Sequence, residues 1–358
     1  MGEDGGQLNS WLLYGATGYT GELIARESAS RNQRPVIAGR NASAVEALAR
    51  ALGCESRVFA LDQPDSIARH LEGVSLVLNC AGPFSATARP MMRACLARRA
   101  HYLDITGEIE VFELGHSFDA EARRANAVVC PGVGFDVVPS DCLASKLKEA
   151  LPTATHLALG FDSRSPPSRG TAKTMIEGLR SGSRVRTDGR IVAVPFASRV
   201  REIDFGEGKK LAIAIPWGDV STAFYTTGIP NIEVYIPASP GTVRRMQRLN
   251  RWRWLAGSAP VQWWLKRRIS QAPPGPDAEQ RERTPVWLWG EVRDSSRTVV
   301  GRMRVANGYT VTVHAALGIV DRVLRGPVSA GFRTASQLVG ADFAAQLPGS
   351  TPMELRRD

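Results

Sequence analysis

The sequence predicts an α/β protein in which a doubly wound parallel sheet is followed by an α+β domain with an open, mostly antiparallel or mixed sheet. Short apolar segments alternate with segments of helical spacing through the first half of the chain, and this alternation is typical of a parallel sheet. A glycine-rich turn follows the first apolar segment. After Thr155 the pattern changes to alternating apolar and polar residues, which favours half-buried strands. We therefore expect a first domain over residues 1–150 and a second over residues 151–330.

The expected strands of the first half are short and apolar, and the expected helices carry apolar residues on one face. The strands are Trp11–Tyr14, Pro35–Ala38, Arg57–Ala60, Val74–Asn79, His101–Asp104 and Ala127–Cys130. The helices between them include Ser43–Leu52, Asp65–Leu71, Pro90–Arg99 and Glu110–Arg124. Because crossovers between parallel strands are right-handed, the carboxyl ends of these strands meet at one edge, where such sheets bind ligands.

The second half contains fewer regular signals. Strands are expected at His156–Leu159, Arg190–Val194 and Asn231–Tyr235. The Asp-Gly pair within Thr187–Arg190 predicts a hairpin turn. Two helices are expected, one over Gly170–Arg180 across the second sheet and a long one over Tyr309–Leu324.

The turn after the first strand carries three glycines with G-x-x-G-x-x-G spacing. Glycine lets the backbone turn tightly and approach a pyrophosphate, which the free N–H groups of a helix N-terminus then bind. Between the first strand and the first helix of a parallel sheet, such a turn predicts a Rossmann-type dinucleotide site. The predicted contacts are Gly15, Ala16, Thr17, Gly18, Tyr19, Thr20 and Gly21.

The end of the second strand indicates which dinucleotide binds. An NAD site usually has Asp or Glu there to accept a hydrogen bond from the ribose 2′-hydroxyl, but this strand ends in Gly39, Arg40 and Asn41. A guanidinium can bind the 2′-phosphate that a carboxylate would repel. We therefore predict that residues 1–150 bind NADP(H). The alternative is that Arg40 is a solvated loop residue.

Three further loops follow strands at the same edge. Small residues after the fourth strand would let a cofactor pass close to the backbone, and a polar loop after the fifth would reach the nicotinamide ribose or the substrate. An acid after the third strand would accept a hydrogen bond from the adenine amino group. These predicted contacts are Cys80, Ala81, Gly82, Pro83, Asp104, Gly107 and Asp62. Helix capping is the alternative role for the polar residues.

Hydride transfer from such a cofactor to an unsaturated carbon also requires a proton donor. The predicted catalytic residues are Asp136, Tyr102 and Asp141, and His101 and Tyr225 are further candidates. Each carboxylate has an alternative role as a loop or helix-capping residue. The sequence holds no catalytic-triad order, HExxH or paired-carboxylate motif, so we expect neither hydrolysis nor a metal site.

The composition is that of a globular protein, with 43% hydrophobic and 22% charged residues. The N-terminus has no apolar signal region and no apolar run approaches the ~18 residues of a membrane span, so we expect a cytoplasmic protein. The net charge of +10 favours anionic partners, but no nucleic-acid motif accompanies it, and nucleic acid is not an expected partner. The five cysteines lack zinc-type spacing and are expected to be reduced core residues.

Residues 243–269 are the most unusual segment. No acidic residue occurs between Glu233 and Asp277, whereas eight basic residues and four of the eight tryptophans do. The apolar residues Met246, Leu249 and Trp252 are expected on one helical face. Basic amphipathic helices with tryptophan can lie in a membrane interface. Three interpretations stay open: peripheral membrane contact, an acidic carrier protein as partner, and a helical hairpin packed on the protein itself.

Eight segments in chain order resemble the saccharopine dehydrogenase-like superfamily, and most closely its branch of trans-acting enoyl reductases. In the first half they are GATGYTG (Gly15–Gly21), AGRN (Ala38–Asn41), NCAGPF (Asn79–Phe84), HYLDITGE (His101–Glu108) and GVGFDVVPSD (Gly132–Asp141). In the second half they are GTAKTMIEGL (Gly170–Leu179), PWGDVSTAFYTTGIPNIEVY (Pro216–Tyr235) and GYTVTVHAAL (Gly308–Leu317). Arg333 and Ala335 depart from the family pattern, which has Gln and Pro there.

The resemblance implies an NADP(H)-dependent oxidoreductase that reduces a C=C bond of an unsaturated acyl or related hydrophobic substrate, either free or bound to a carrier. It also implies that residues 331–358 pack back on the first domain, and a homodimer is compatible with it. One alternative is a saccharopine-type amino-acid dehydrogenase that reduces an imine. Its polycarboxylate substrate would bind Arg164, Arg169, Arg180 and Arg184. The other is a non-catalytic nucleotide-binding protein at a membrane or lipid surface.

Overall fold

The computed structural model describes residues 10–166, 168, 182–250, 267 and 275–357. Two sheets organise this part of the chain, one of seven parallel strands and one of nine strands with mixed directions. The predicted fold class is therefore confirmed. The expected helix at Gly170–Arg180 and most of residues 243–269 lie outside the described residues.

The first sheet contains β1 (Trp11–Tyr14), β2 (Val36–Gly39), β3 (Ser56–Val58), β4 (Leu76–Asn79), β5 (His101–Asp104), β6 (Val128–Cys130) and β15 (Gly331–Phe332). These strands lie in the order β15-β6-β5-β4-β1-β2-β3. All four residues of β1, β2 and β4 are buried, because helices cover both faces of a doubly wound sheet. The strand order reverses between β1 and β4, and ligands bind at such a reversal.

Seven helices accompany this sheet within residues 10–150. They are α1 (Tyr19–Ser30), α2 (Ala42–Leu52), α3 (Pro64–His70), α4 (Phe84–Ala97), α5 (Ile109–Ser117), α6 (Asp119–Arg124) and α7 (Val138–Ala150). Side chains alternate between the two faces of each strand. Leu103 on β5 thus belongs to the core that continues to the second sheet, whereas Tyr102 belongs to a separate core on the opposite face.

Two helices differ from the sequence expectation. The helix expected at Pro90 begins six residues earlier, at Phe84, with Pro90 inside it; because proline is frequent at helix starts, the sequence favours the later position. The helix expected over Glu110–Arg124 is two helices that meet at Phe118, which is 5% exposed. The break buries this ring and lets the Asp119 carboxylate accept a hydrogen bond from the Phe332 N–H at 2.8 Å.

The second sheet contains β7 (His156–Ser163), β8 (Ser183–Thr187), β9 (Arg190–Val194), β10 (Val200–Asp204), β11 (Lys209–Ala214), β12 (Asn231–Pro237), β13 (Val286–Arg293), β14 (Thr298–Val305) and β16 (Glu354–Arg357). Its main path runs β10-β11-β12-β7-β13-β14-β16, with β7 and β12 parallel. Asp188 and Gly189 join β8 to β9 with φ values of 47° and 77°. This two-residue turn with positive φ confirms the predicted hairpin.

The described helices of the second half are α8 (Asp219–Thr227), α9 (Pro240–Leu249), α10 (Ala278–Arg283), α11 (Gly308–Leu324), α12 (Ala335–Val339) and α13 (Phe343–Gln346). The expected helix over Tyr309–Leu324 is α11, which packs against α1. One contact between these two helical regions joins Gln33 Nε2 to the Asp321 carboxylate at 2.6 Å. The first and second halves of the chain therefore pack together along α1 and α11.

Candidate functional site

The three glycines of the first turn differ in whether their surroundings leave room for a side chain. Gly15 has a φ of +78°, and a Cβ there would lie 2.7 Å from the Ala81 backbone nitrogen. A Cβ on Gly21 would lie 2.3 Å from the Gly15 carbonyl oxygen. Gly18 is exposed, and its Cβ would meet only the Gly15 carbonyl oxygen, at 3.3 Å. Gly15 and Gly21 are thus required by the protein's own packing, whereas Gly18 borders open space.

The N-terminus of α1 fits a dinucleotide pyrophosphate. Gly18 is the N-cap of this helix, and no described side chain caps it. Its first N–H groups remain for an anion, which the helix dipole also favours. Thr17 beside it is exposed, whereas Ala16 is fully buried. The backbone and the space at Gly18 are thus free for the predicted pyrophosphate, whereas Ala16 belongs to the core.

The second part of the predicted cofactor site lies at the ends of β2 and β3. Burial raises the pKa of the Tyr14 hydroxyl at the end of β1. The positive charge of Arg40 lowers this pKa and the negative charge of Asp62 raises it, so both charges lie close enough to Tyr14 to act on it. Both side chains are exposed. The side-chain carbonyl oxygen of Asn41 accepts hydrogen bonds from the Ala44 N–H at 3.3 Å and from the Ser43 hydroxyl. Asn41 thus caps α2, and Arg40 is the better candidate for a 2′-phosphate.

The loops after β4 and β5 are tied together by Glu108. Its carboxylate accepts hydrogen bonds from the N–H groups of Phe84 at 3.0 Å and Ser85 at 2.7 Å, at the first turn of α4. A carboxylate at a helix N-terminus is electrostatically favourable. Glu108 thus fixes the start of α4 directly after the Cys80–Pro83 loop, and the backbone of Ala81 in that loop lies against Gly15.

Tyr102 and Asp104 lie inside the protein. Both are fully buried, and the Tyr102 hydroxyl donates a hydrogen bond to Asp104 Oδ2 at 2.7 Å. Asp104 Oδ1 accepts from the N–H groups of Thr106 and Gly132, each at 2.9 Å. Burial raises the pKa of Asp104 to about 7, against the effect of these hydrogen bonds. Both side chains belong to the face of β5 away from the second sheet, and Asp104 joins two loops, while the catalytic role of Tyr102 and the cofactor contact of Asp104 remain predictions.

Asp136 lies at the predicted place between the two halves of the chain. Its side chain packs on Gly107, where a Cβ would come within 2.6 Å of Asp136 Oδ2. This glycine is therefore needed to admit the carboxyl group. Asp136 remains partly exposed, and burial raises its pKa to about 7. A carboxyl group with this pKa exists in both protonation states near neutral pH, as a proton donor requires.

An aromatic wall is formed by Phe135, the residue before Asp136 in the chain, together with Phe161 and Trp217. The ring centroids of Phe135 and Phe161 are 5.7 Å apart, and those of Phe161 and Trp217 are 4.7 Å apart. All three rings are partly exposed. Phe135 is held by the Thr312 hydroxyl, which accepts a hydrogen bond from its N–H at 3.0 Å. These rings join an apolar surface from β7 and from the segment before α8 to Phe135, which directly precedes Asp136.

Asp141 and Asp219 are two further carboxyl groups, and both are fully buried. Asp141 accepts hydrogen bonds from the Thr226 hydroxyl and from the Ser336 N–H. It therefore connects α7 with α8 and α12, and its catalytic role remains a prediction. Both carboxyl oxygens of Asp219 lack a hydrogen-bond partner of normal geometry among the described residues. Burial raises the pKa of Asp219 well above its usual range, and Ser140, the polar group beside it, partly opposes the rise.

Sequence reasoning did not single out Asp219 or Arg281. Asp219 follows Pro-Trp-Gly and begins a helix, a pattern that is typical of an exposed cap. The Arg281 guanidinium donates hydrogen bonds to the Tyr19 hydroxyl at 2.9 Å and to the Pro276 carbonyl oxygen at 3.1 Å. Tyr19 also meets the Tyr309 ring edge to face, with centroids 5.1 Å apart. The predicted cofactor residue Tyr19 thus connects α1 to the second half of the chain, and no local pattern signals this long-range contact.

The first part of the chain has a recognisable family. Residues 11–130 match the model of the saccharopine dehydrogenase NADP binding domain. This region is a saccharopine dehydrogenase-type NADP-binding domain. The match confirms both the predicted resemblance and the predicted cofactor, NADP(H). The individual contacts at Thr17, Gly18, Thr20, Gly39 and Arg40, and at the other predicted positions that border the crevice, remain predictions.

Two curated relatives match longer stretches of the chain. A saccharopine dehydrogenase-like oxidoreductase of Arabidopsis thaliana is 27% identical over 199 residues, which cover 49% of this chain and 44% of that protein. A trans-acting enoyl reductase of Mycobacterium ulcerans is 28% identical over 216 residues, which cover 54% of this chain and 51% of that protein. The chain thus spans about half the length of the curated relatives it matches.

A solved structure shows the same fold over nearly the whole chain. The apo form of saccharopine dehydrogenase (L-Glu forming) from Saccharomyces cerevisiae aligns with a TM-score of 0.64 and 10% sequence identity. The alignment covers 98% of this chain and 100% of that one. At this identity the likeness concerns the fold, in which the NADP-binding domain carries a second sheet.

We expect Arg40→Glu to weaken NADPH binding roughly 10- to 100-fold, because the variant replaces a charge-assisted hydrogen bond to the 2′-phosphate by repulsion. NADH binding should be retained or improved, since a carboxylate can accept from the 2′-hydroxyl. Isothermal titration with both cofactors measures the change. Arg50→Glu, an exposed position on α2, is the control for net charge. Equal NADPH affinities of the Arg40 variant and the wild type would remove Arg40 from the site.

Proposed function

We propose that this chain is an NADPH-dependent reductase of the C=C bond of an unsaturated acyl or related hydrophobic substrate. The observation that carries the proposal is the pairing of a carboxyl group with an apolar surface. Burial raises the pKa of Asp136 to about 7, and Asp136 directly follows Phe135, whose ring begins the partly exposed series Phe135, Phe161 and Trp217. An acyl chain buries its apolar surface against such rings, next to a group that can donate a proton.

In conjugate reduction, the cofactor, the aromatic wall and Asp136 would each have a separate role. When NADPH is bound, its nicotinamide supplies the hydride that the β-carbon of the substrate accepts. The aromatic wall positions the acyl chain and excludes water. Protonated Asp136 donates its proton to the α-carbon of the resulting enolate and is left as a carboxylate. It then regains a proton from solvent through its exposed side, so that one hydride and one proton are added to the double bond.

Four arginines were predicted to bind a polycarboxylate substrate, and the ion pairs of two of them argue against that substrate. Arg164 pairs with Glu207, and Arg184 pairs with Glu110. Each of these guanidiniums already has a carboxylate partner, so it is not poised for the carboxylates of a saccharopine-type substrate. Arg169 and Arg180, the other two predicted receptors, lie outside the described residues. The resemblance to a trans-acting enoyl reductase supports the acyl substrate further.

Turnover with two substrate classes tests the proposal. NADPH consumption is measured with 2-enoyl thioesters of N-acetylcysteamine of increasing chain length, and separately with lysine plus 2-oxoglutarate. We expect consumption with the thioesters only, and a KM that falls with chain length because each added CH₂ contributes up to about 0.8 kcal/mol. Turnover with lysine and 2-oxoglutarate alone would overturn the proposal in favour of imine reduction. NADPH binding without turnover of either class would favour the non-catalytic alternative.

A further inference from the structure

The outer side of α9 carries an unbalanced positive charge. Arg244, Arg245 and Arg248 are exposed, and together with Gly241 and Leu249 they line a shallow groove of about 390 Å³. We call these five residues the arginine face. It overlaps the start of the basic segment at residues 243–269, and all five of its members belong to the described part of the chain.

The inner side of α9 is firmly seated on the second sheet. Val243 is 8% exposed and packs with Met246 against Ala197 and Ile213. Asn250, at the end of the helix, exchanges two hydrogen bonds of 2.9 Å with the backbone of Phe196. The sequence predicted that Met246 and Leu249 share one face of the helix, but they lie on different sides. Met246 packs inward, whereas Leu249 is 50% exposed. The apolar side of the helix is already occupied by the protein's own core.

The arginines of this face differ from six described arginines around the second sheet that form ion pairs. The described ion pairs around the second sheet use Arg164, Arg184, Arg186, Arg199, Arg201 and Arg302. Among the described residues, no carboxylate pairs with Arg244, Arg245 or Arg248, and the sequence has none between Glu233 and Asp277. Three neighbouring cations without local acids attract an anionic partner that brings several charges at once.

We propose that the arginine face is a docking surface for a membrane containing anionic phospholipids. The helix is fixed on the second sheet, and its outer side presents three guanidiniums. Phosphate headgroups in the plane of a membrane can accept hydrogen bonds from these guanidiniums. Leu249 adds one apolar contact at the end of the same side. Since the rest of the apolar side is buried in the protein, binding is mainly electrostatic and reversible. The inference is independent of the enzymatic reaction, because NADPH binds at the other sheet.

Sedimentation with vesicles tests the surface. The full-length protein is mixed at low salt with vesicles of phosphatidylglycerol and phosphatidylcholine, and with vesicles of phosphatidylcholine alone. We expect binding only to the anionic vesicles and release when salt is raised, because the Debye length falls from about 30 Å at 0.01 M to about 3 Å at 1 M. The triple variant Arg244→Gln, Arg245→Gln, Arg248→Gln should lose roughly a hundredfold in partition coefficient. Leu249→Ser should cause a smaller loss.

A second triple variant separates a local surface from net charge. Arg89, Arg93 and Arg124 are exposed on α4 and α6, and their replacement by Gln removes the same charge elsewhere. We expect this control to bind vesicles like the wild type, and both triple variants to bind NADPH normally. Equal loss in both variants would overturn the proposal, since attraction would then follow total charge. A wild type that ignores anionic vesicles at low salt would overturn it too, and an acidic protein would become the partner to test.

Discussion

Gly18→Val is expected to abolish NADPH binding while the protein stays folded. The exposed backbone at Gly18 has φ −77° and ψ 161°, an extended conformation that valine adopts readily. Its Cβ would meet only the Gly15 carbonyl oxygen, at 3.3 Å, so we expect the free energy of unfolding to change little. The rest of the side chain would occupy the space in front of α1 that the pyrophosphate needs. We expect the Kd for NADPH to rise more than a hundredfold, which corresponds to about 2.7 kcal/mol.

Gly21→Val is the matched control at the other end of the same turn. A Cβ there would lie 2.3 Å from the Gly15 carbonyl oxygen and 2.9 Å from the Ala16 Cα. Because both neighbours are backbone atoms, we expect this variant to lose about 1–3 kcal/mol of stability or more. Thermal unfolding by circular dichroism and isothermal titration with NADPH distinguish the two variants. A Gly18 variant that unfolds, or one that binds NADPH like the wild type, would contradict the assignment of Gly18 to the cofactor cradle.

Asp136→Asn is expected to lower kcat for enoyl thioester reduction by roughly 10²- to 10⁴-fold, the usual contribution of a general acid. The amide is nearly isosteric, so it still packs on Gly107 but has no acidic proton to donate. NADPH affinity should change little. Asp188→Asn, in an exposed hairpin turn, is the control for removal of a carboxylate.

The pH dependence distinguishes a proton donor from a structural role. Burial raises the pKa of Asp136 to about 7, and only the protonated form can donate. The kcat of the wild type should therefore fall as pH rises through about 7, and this limb should be absent from the residual activity of the asparagine variant. If the variant keeps the wild-type kcat, or keeps the same alkaline limb, the proton comes from another group.

The fold of the first half was largely predictable because each signal is local. The glycine turn, the buried strand Leu76–Asn79 and the apolar face of α2 each occupy a few consecutive residues, and each maps onto the parallel sheet. Errors occurred where a distant contact decides the outcome. The break at Phe118 depends on Asp119, which accepts a hydrogen bond from Phe332 in a strand from the other end of the chain.

The loops at the carboxyl edge of the first sheet were predictable, whereas the directions of their side chains were not. Strand ends correctly located the loops around the crevice, but the direction of each side chain depends on which face of a strand it occupies. Tyr102 and Asp104 share the face away from the second sheet, and Asp141 is enclosed by α7, α8 and α12. The rings of Phe161 and Trp217 come from separate elements, and nothing in their sequence spacing shows that they meet each other and that Phe161 meets Phe135.

The pairing of Gly331–Phe332 with Val128–Val129 has a consequence for biosynthesis. A ribosome releases the amino-terminal strands first, but the outermost partner of β6 is synthesised roughly two hundred residues later. Until then, β6 is an unpaired edge that other chains can join. Such long-range closure also slows folding, because loop entropy must be lost before the contact forms. The nascent nucleotide-binding half is therefore most prone to aggregate before Gly331 and Phe332 have been synthesised and have paired with β6. A chaperone would act at this stage.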